Sequence, residues 1–202
     1  RPEDVLHIPL AYLTIVRVVQ VLVGVGLVWL TYRLALRVGA SRPGATVAAA
    51  GVALTPAFVF EPYLLHTETI AITLFVASVL LAVEAADRAS APRAAAAGVL
   101  AALGGMTRLF LLPWPLLLAG GLALWPGGAR GPKLAGAALL AAALLYTPWL
   151  AWLHRGTGLW LPEGFAFHLL VGATGEGVPP DRGAFDALVA RGTSGGRGYL
   201  SE

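Results

Sequence analysis

Ionisable side chains inside apolar runs are the residues of this sequence most able to do chemistry. Placing an arginine or aspartate at the centre of a membrane-crossing helix costs about 2.5–3.5 kcal/mol on insertion scales. Arg17 lies nine residues into the apolar run that begins at Ile8, and Gln20 follows one turn later on the same helical face. At that depth Arg17 must face protein or water, either snorkelling to the interface or contacting an anion. A second group is the stretch Glu61-Pro62-Tyr63-Leu64-Leu65-His66-Thr67-Glu68. Its two carboxylates and imidazole are of the kinds that do general acid and base work, with Glu68 and His66 the weak candidates. Glu68 also stands where a helix dipole favours an anion. His66 and Glu68 are two residues apart and supply only two ligands, too few to define a divalent-metal site. No cofactor is called for. The third group is Met106-Thr107-Arg108, at a break between apolar segments, where a guanidinium can offer several donors to one phosphate. Thr147-Pro148-Trp149 through His154-Arg155 reads as an aromatic and cationic anchor that ends the last span, and Glu84 and Asp87 as solvated.

The elements that must position these groups are apolar helices. Of 202 residues, 57% are hydrophobic and only 12% charged, with mean hydropathy +0.76, which excludes a water-soluble enzyme. The net charge of +3 is dispersed, without the basic stripe that nucleic acid requires. No cysteine is present, so neither disulfides nor thiolate metal sites hold the chain together. A spanning helix needs roughly 20 apolar residues. Residues 8–32, 45–63, 68–86, 109–125 and 134–153 meet that need and 94–107 falls short of it, so the expected fold is all-α: a multi-spanning transmembrane bundle of five full spans and one short one. Residues 1–155 form the bundle and 156–202, richer in Gly, Pro and charge, an extracytoplasmic segment.

Short loops rich in Lys and Arg stay in the cytoplasm. Arg33, Arg37 and Arg42, then Arg88 and Arg93, then Arg130 and Lys133 fall after the first, third and fifth spans, and all on one side. The Glu61–Glu68 turn, Arg108 and the tail belong on the other, where Tyr63, Tyr146, Trp149, Trp152 and Trp160 make an aromatic belt. Pro56, Pro113 and Pro115 are expected to kink their helices, and the Ala- and Gly-rich stretches 94–105 and 135–143 to pack closely. The chain opens at Arg1-Pro2-Glu3-Asp4 and reads as an internal piece of something longer. Arg17, Arg108 and the Glu61–Glu68 turn thus share the outer side. A cavity lined by them suits a lipid-linked phosphate, or a polar solute nearly as well.

Several short pieces occur in an order that resembles the C-type polytopic membrane glycosyltransferases, the group that includes dolichyl-phosphate-mannose-protein mannosyltransferase-like and lipid A sugar transferase-like proteins. They are Val16-Arg17-Val18-Val19-Gln20 leading to Tyr32-Arg33-Leu34-Ala35-Leu36-Arg37, Ala53-Leu54-Thr55-Pro56-Ala57, His66-Thr67-Glu68-Thr69-Ile70, Ala102-Leu103-Gly104-Gly105-Met106-Thr107-Arg108 and Thr147-Pro148-Trp149-Leu150, spread over about 155 residues. The leucine-threonine-arginine-proline pattern usual for the family becomes Met106-Thr107-Arg108-Leu109 here, keeping the cation.

The resemblance implies transfer of a hexosyl or pentosyl unit from a polyprenyl-phosphate donor to a glycan, lipid or protein acceptor on the extracytoplasmic face, with inversion at the anomeric carbon. It implies that Arg17 approaches the donor phosphate and that the main catalytic carboxylate lies in a loop upstream of Arg1, so that these 202 residues alone are expected to be inactive. Substrate contacts are then expected at Arg17, Arg108, Glu61, His66 and Glu68, in an integral protein of a bacterial plasma membrane. Two other readings fit the same residues: a transporter or flippase segment with a polar transit site, and a membrane scaffold subunit whose polar side chains only anchor and cap. The six segments do not pair as an inverted repeat would.

Overall fold

The computed structural model describes residues 10–59, 67–126 and 130–158, and every regular element among them is helical. The helices are α1 (Leu10–Arg37), α2 (Arg42–Leu54), α3 (Glu68–Arg88), α4 (Ala91–Thr107), α5 (Trp114–Ala123) and α6 (Arg130–Thr157), with a 3-10 turn at Leu109–Leu111. The chain divides into compact units at Trp149/Leu150. The first unit holds α1 to α5 and α6 as far as Trp149; of the second, the described part is the end of α6.

Three helices are long and apolar enough to cross a membrane: Leu13–Arg37, Glu68–Arg88 and Arg130–Gly156. They are compatible with an integral membrane protein, but the expected five full spans are not supported. Proline is the reason. Residue Thr55, preceding Pro56, is pushed out of the helical region to φ −66°, ψ 118°, so α2 ends at Leu54 after 13 residues, about 20 Å of rise. The chain is helical again over 56–59. Pro113 and Pro115 likewise do not kink a span from 109 to 125; they open a new ten-residue helix, α5. By contrast, α6 runs through Pro148 to Thr157, although a stop was expected there.

The cations also sit differently from expectation. Arg33 and Arg37 lie on α1 itself, Arg42 opens α2, Arg88 ends α3, Arg93 is in the first turn of α4, and Arg130 opens α6. Arginine is a good helix former, and a cation in a last turn is favoured by the helix dipole, so Arg37 and Arg88 extend their helices instead of leaving them.

α1 and α3 run parallel. Gly24 of α1 lies against Thr69 at the start of α3, and Arg37 at the end of α1 meets Glu84 and Asp87 near the end of α3. A tight reversal then sends α4 back along α3. Ala89, left-handed at φ 50°, caps α3 through its N–H to Ala85 and Ala86, and Ser90 N–H bonds to Ala85 O. Consequently Arg93 meets Glu84 at one end of the pair and Arg108 meets Glu68 at the other.

The core is built of small side chains. Ala82 and Ala85 of α3, Ala94, Ala97 and Ala101 of α4, and Leu134, Ala135 and Ala138 of α6 pack into one cluster with Leu118, Ala119 and Leu122 of α5. Without a hydrophobic driving force between helices in lipid, close approach is what holds them together. At Gly98 the backbone of α6 comes so near that a Cβ would overlap Ala138. Between α3 and α5, Trp114 Nε1–H donates to Ser78 Oγ at 2.9 Å, Ser78 Oγ donates to Phe75 O at 2.7 Å, and the Phe75 and Trp114 rings lie 4.4 Å apart.

Candidate functional site

The site begins with the way α4 stops. Thr107 Oγ1 turns back to Gly104 O at 2.8 Å, and Arg108 N–H also bonds to Gly104 O, at 3.0 Å. Arg108 itself leaves the helix in an extended conformation, φ −141°, ψ 119°, before the 3-10 turn over Leu109–Leu111. Its carbonyl accepts from Leu111 N–H at 2.9 Å, which folds the chain over the end of α4. Two glycines make room for this fold. Gly104 faces Leu74 and Leu111, and a Cβ on Gly105 would stand 3.1 Å from Leu112 Cα and collide with the Tyr146 hydroxyl. Tyr146 Oη in turn donates to Leu112 O at 3.3 Å. Tyr146 therefore belongs to the packing that fixes the break and is no free member of an aromatic belt; Trp149 leans on it with centroids 6.0 Å apart.

So held, the Arg108 guanidinium forms an ion pair through Nη2 with Glu68 Oε1, in the first turn of α3. Both side chains are about one-third exposed, at 34% and 33%. Arg108 Nε is shielded and has no hydrogen-bond partner among the described residues. Thr69, next to Glu68, is fully buried and lies against Gly24 of α1. The same α1 face carries buried Gln20 and, one turn further toward the N-terminus, half-buried Arg17, whose Nε is also shielded. Arg17 is seven residues from Gly24, about 10 Å of helical rise. The structure thus joins Glu68 and Arg108 directly and puts Arg17 and Gln20 on the α1 face that meets the start of α3.

Glu61 and His66 lie outside the described residues, as do Tyr63 and Trp160. Among the described residues no three His, Asp or Glu side chains converge as metal ligands would. The arrangement near Arg108 offers an oxyanion a guanidinium held by a carboxylate, which leaves other N–H donors of the fork to contact a second acceptor.

A second polar cluster was read in the sequence only as solvated carboxylates. Glu84 is 14% exposed and is approached by three arginines, Arg33, Arg37 and Arg93, at 3.6–3.7 Å, with Arg37 also 3.7 Å from Asp87. The available signal was the spacing: Arg33 and Arg37 are four residues apart, Glu84 and Asp87 three, so each pair shares one helix face. Compared with protein-family models, curated proteins and solved structures, the chain matches none.

Proposed function

We propose that this chain is the membrane-embedded part of a glycosyltransferase that moves a sugar from a polyprenyl-phosphate donor to an acceptor hydroxyl. The observation that carries the reading is the Arg108–Glu68 pair at the broken end of α4, beside the α1 face that bears Gln20 and Arg17. In the reaction the acceptor oxygen bonds to the anomeric carbon while the bond from that carbon to the phosphate oxygen breaks. The hydroxyl proton passes to a carboxylate base, and the lipid phosphate departs carrying the extra negative charge. Arg108 stabilises that charge in a region of low dielectric, where a fixed donor is worth more than in water. Glu68 orients Arg108, so it acts as a positioning residue; the base is the acidic residue that the family resemblance expects upstream of Arg1. Arg17 lies toward the same end and takes the second contact to the donor phosphate. In this reading the Arg108 end faces away from the cytoplasm in a bacterial plasma membrane, and the Arg37 end, with most of the cations, faces the cytoplasm.

The test is sugar transfer from a polyprenyl-phosphate donor, measured in membranes that carry the intact protein. Arg108→Ala is expected to lower kcat about 100-fold or more, the loss typical when a donor to the developing charge is removed. Arg17→Ala is expected to lower it too, and Glu68→Gln to act less severely, since the guanidinium remains. Normal turnover in both arginine variants would remove the assignment.

A further inference from the structure

The cluster at the opposite end of the bundle is a binding site in its own right, and it does not depend on the glycosyltransferase reading. Arg33 and Arg37 of α1 and Arg93 of α4 surround Glu84 and Asp87 of α3. Three guanidiniums face two carboxylates, which leaves a formal charge of +1. Every one of these pairs stands at 3.6–3.7 Å, beyond hydrogen-bond distance, so the charges attract without using up the five N–H donors of each arginine. The three arginine side chains remain 31–42% exposed, whereas Glu84 is largely covered. The carboxylates therefore act as an inner counter-charge that gathers the arginines and leaves their outer edges open to an oxyanion.

Position names the anion. Arg33 and Arg37 occupy the last turn and a half of a helix long enough to cross a membrane, and Glu84 and Asp87 the last turns of another. Ends of such helices lie at headgroup depth, where the abundant oxyanion is the lipid phosphate. One turn deeper, Trp29 is exposed and Arg33 Cζ lies 5.1 Å from its ring centroid, the pairing of an interfacial aromatic with a cation. Leu22 and Val25, also exposed, continue the apolar surface along α1 on the Trp29 side. We propose that Arg33, Arg37 and Arg93 form a site for an anionic phospholipid, its phosphate between the guanidiniums and an acyl chain along Leu22, Val25 and Trp29.

The experiment places the full chain in nanodiscs of phosphatidylcholine with a minority of phosphatidylglycerol and measures, by native mass spectrometry, which lipid stays bound. The wild type should retain phosphatidylglycerol selectively. Each arginine is worth about fivefold near a charged surface, so Arg33→Ala/Arg37→Ala should lower the selectivity about 25-fold. Arg42→Ala, which removes an equal charge outside the cluster, should leave it nearly unchanged. Arg37→Lys keeps the charge and tests the planar fork: selectivity should fall although net charge does not. Asp87→Asn should raise it by removing a competing anion. An equal fall for Arg42→Ala and Arg37→Ala would overturn the proposal in favour of diffuse attraction. Equal retention of both lipids by the wild type would overturn it outright, as would binding of inorganic phosphate in pure phosphatidylcholine discs as tight as that of the lipid.

Discussion

Substituting Gly98 by alanine tests the close helix contact on which the bundle depends. An added Cβ would stand 2.7 Å from the carbonyl carbon of Ala138 and 2.9 Å from its Cα, and nearer still to its oxygen. Ordinary contact begins near 3.4 Å, so α4 and α6 must part by at least about 0.7 Å at this point. All of the atoms in the way are backbone, which cannot swing aside as a side chain would. A gap of that size forfeits about a quarter to a half of each dispersion contact along the seam, where Ala94, Ala97 and Ala101 meet Leu134, Ala135 and Ala138. The expected cost is about 1–3 kcal/mol, the range for overpacking a close-packed core. Gly136→Ala is the comparison: it lies on α6 two residues from Ala138, has open space around its Cβ position, and should be neutral or stabilising because alanine favours the helix by up to about 1 kcal/mol. Thermal unfolding of the purified protein in detergent, followed by circular dichroism, reads both. If Gly98→Ala melted together with Gly136→Ala, the interhelical distance argued from Ala138 would be wrong.

Two further changes bear on single contacts. Trp114→Phe keeps the ring against Phe75 and removes the donor to Ser78 Oγ; a double-mutant cycle with Ser78→Ala should give a coupling of about 0.6 kcal/mol and no more than about 1.7, and strict additivity would deny the 2.9 Å bond. Ala89 holds φ at 50°, where a side chain costs about 1–2 kcal/mol relative to glycine, so Ala89→Gly should raise the melting temperature; a drop would mean that the left-handed cap of α3 is not formed.

Much of the helical character was legible residue by residue. Apolar runs without charges must be buried in lipid or protein, and backbone groups there are satisfied within a helix, so α1, α3, α4 and α6 can be read from the sequence to within a turn or so at most ends. The count of spans could not be read in the same way. Hydropathy averages over Pro56 and Pro113, where the backbone breaks, yet it says nothing of Pro148, where the helix continues. The same proline chemistry gives opposite outcomes because neighbouring contacts decide whether the freed carbonyl is tolerated.

The polar residues divide along a similar line. The sequence by itself determined that Arg17, Gln20, Glu68 and Arg108 must find protein or water, since the cost of leaving a charge among acyl chains depends only on residue type and depth. That Arg108 meets Glu68, forty residues away, was decided by the reversal at Ala89 and Ser90, which lays α4 back along α3. The tertiary structure alone also gathered Arg33, Arg37 and Arg93 around Glu84, a group that looked like separate solvated charges when read in order along the chain. Depth in the membrane is a property of one segment, whereas the pairing of charges depends on which helices are neighbours and in which direction each of them runs.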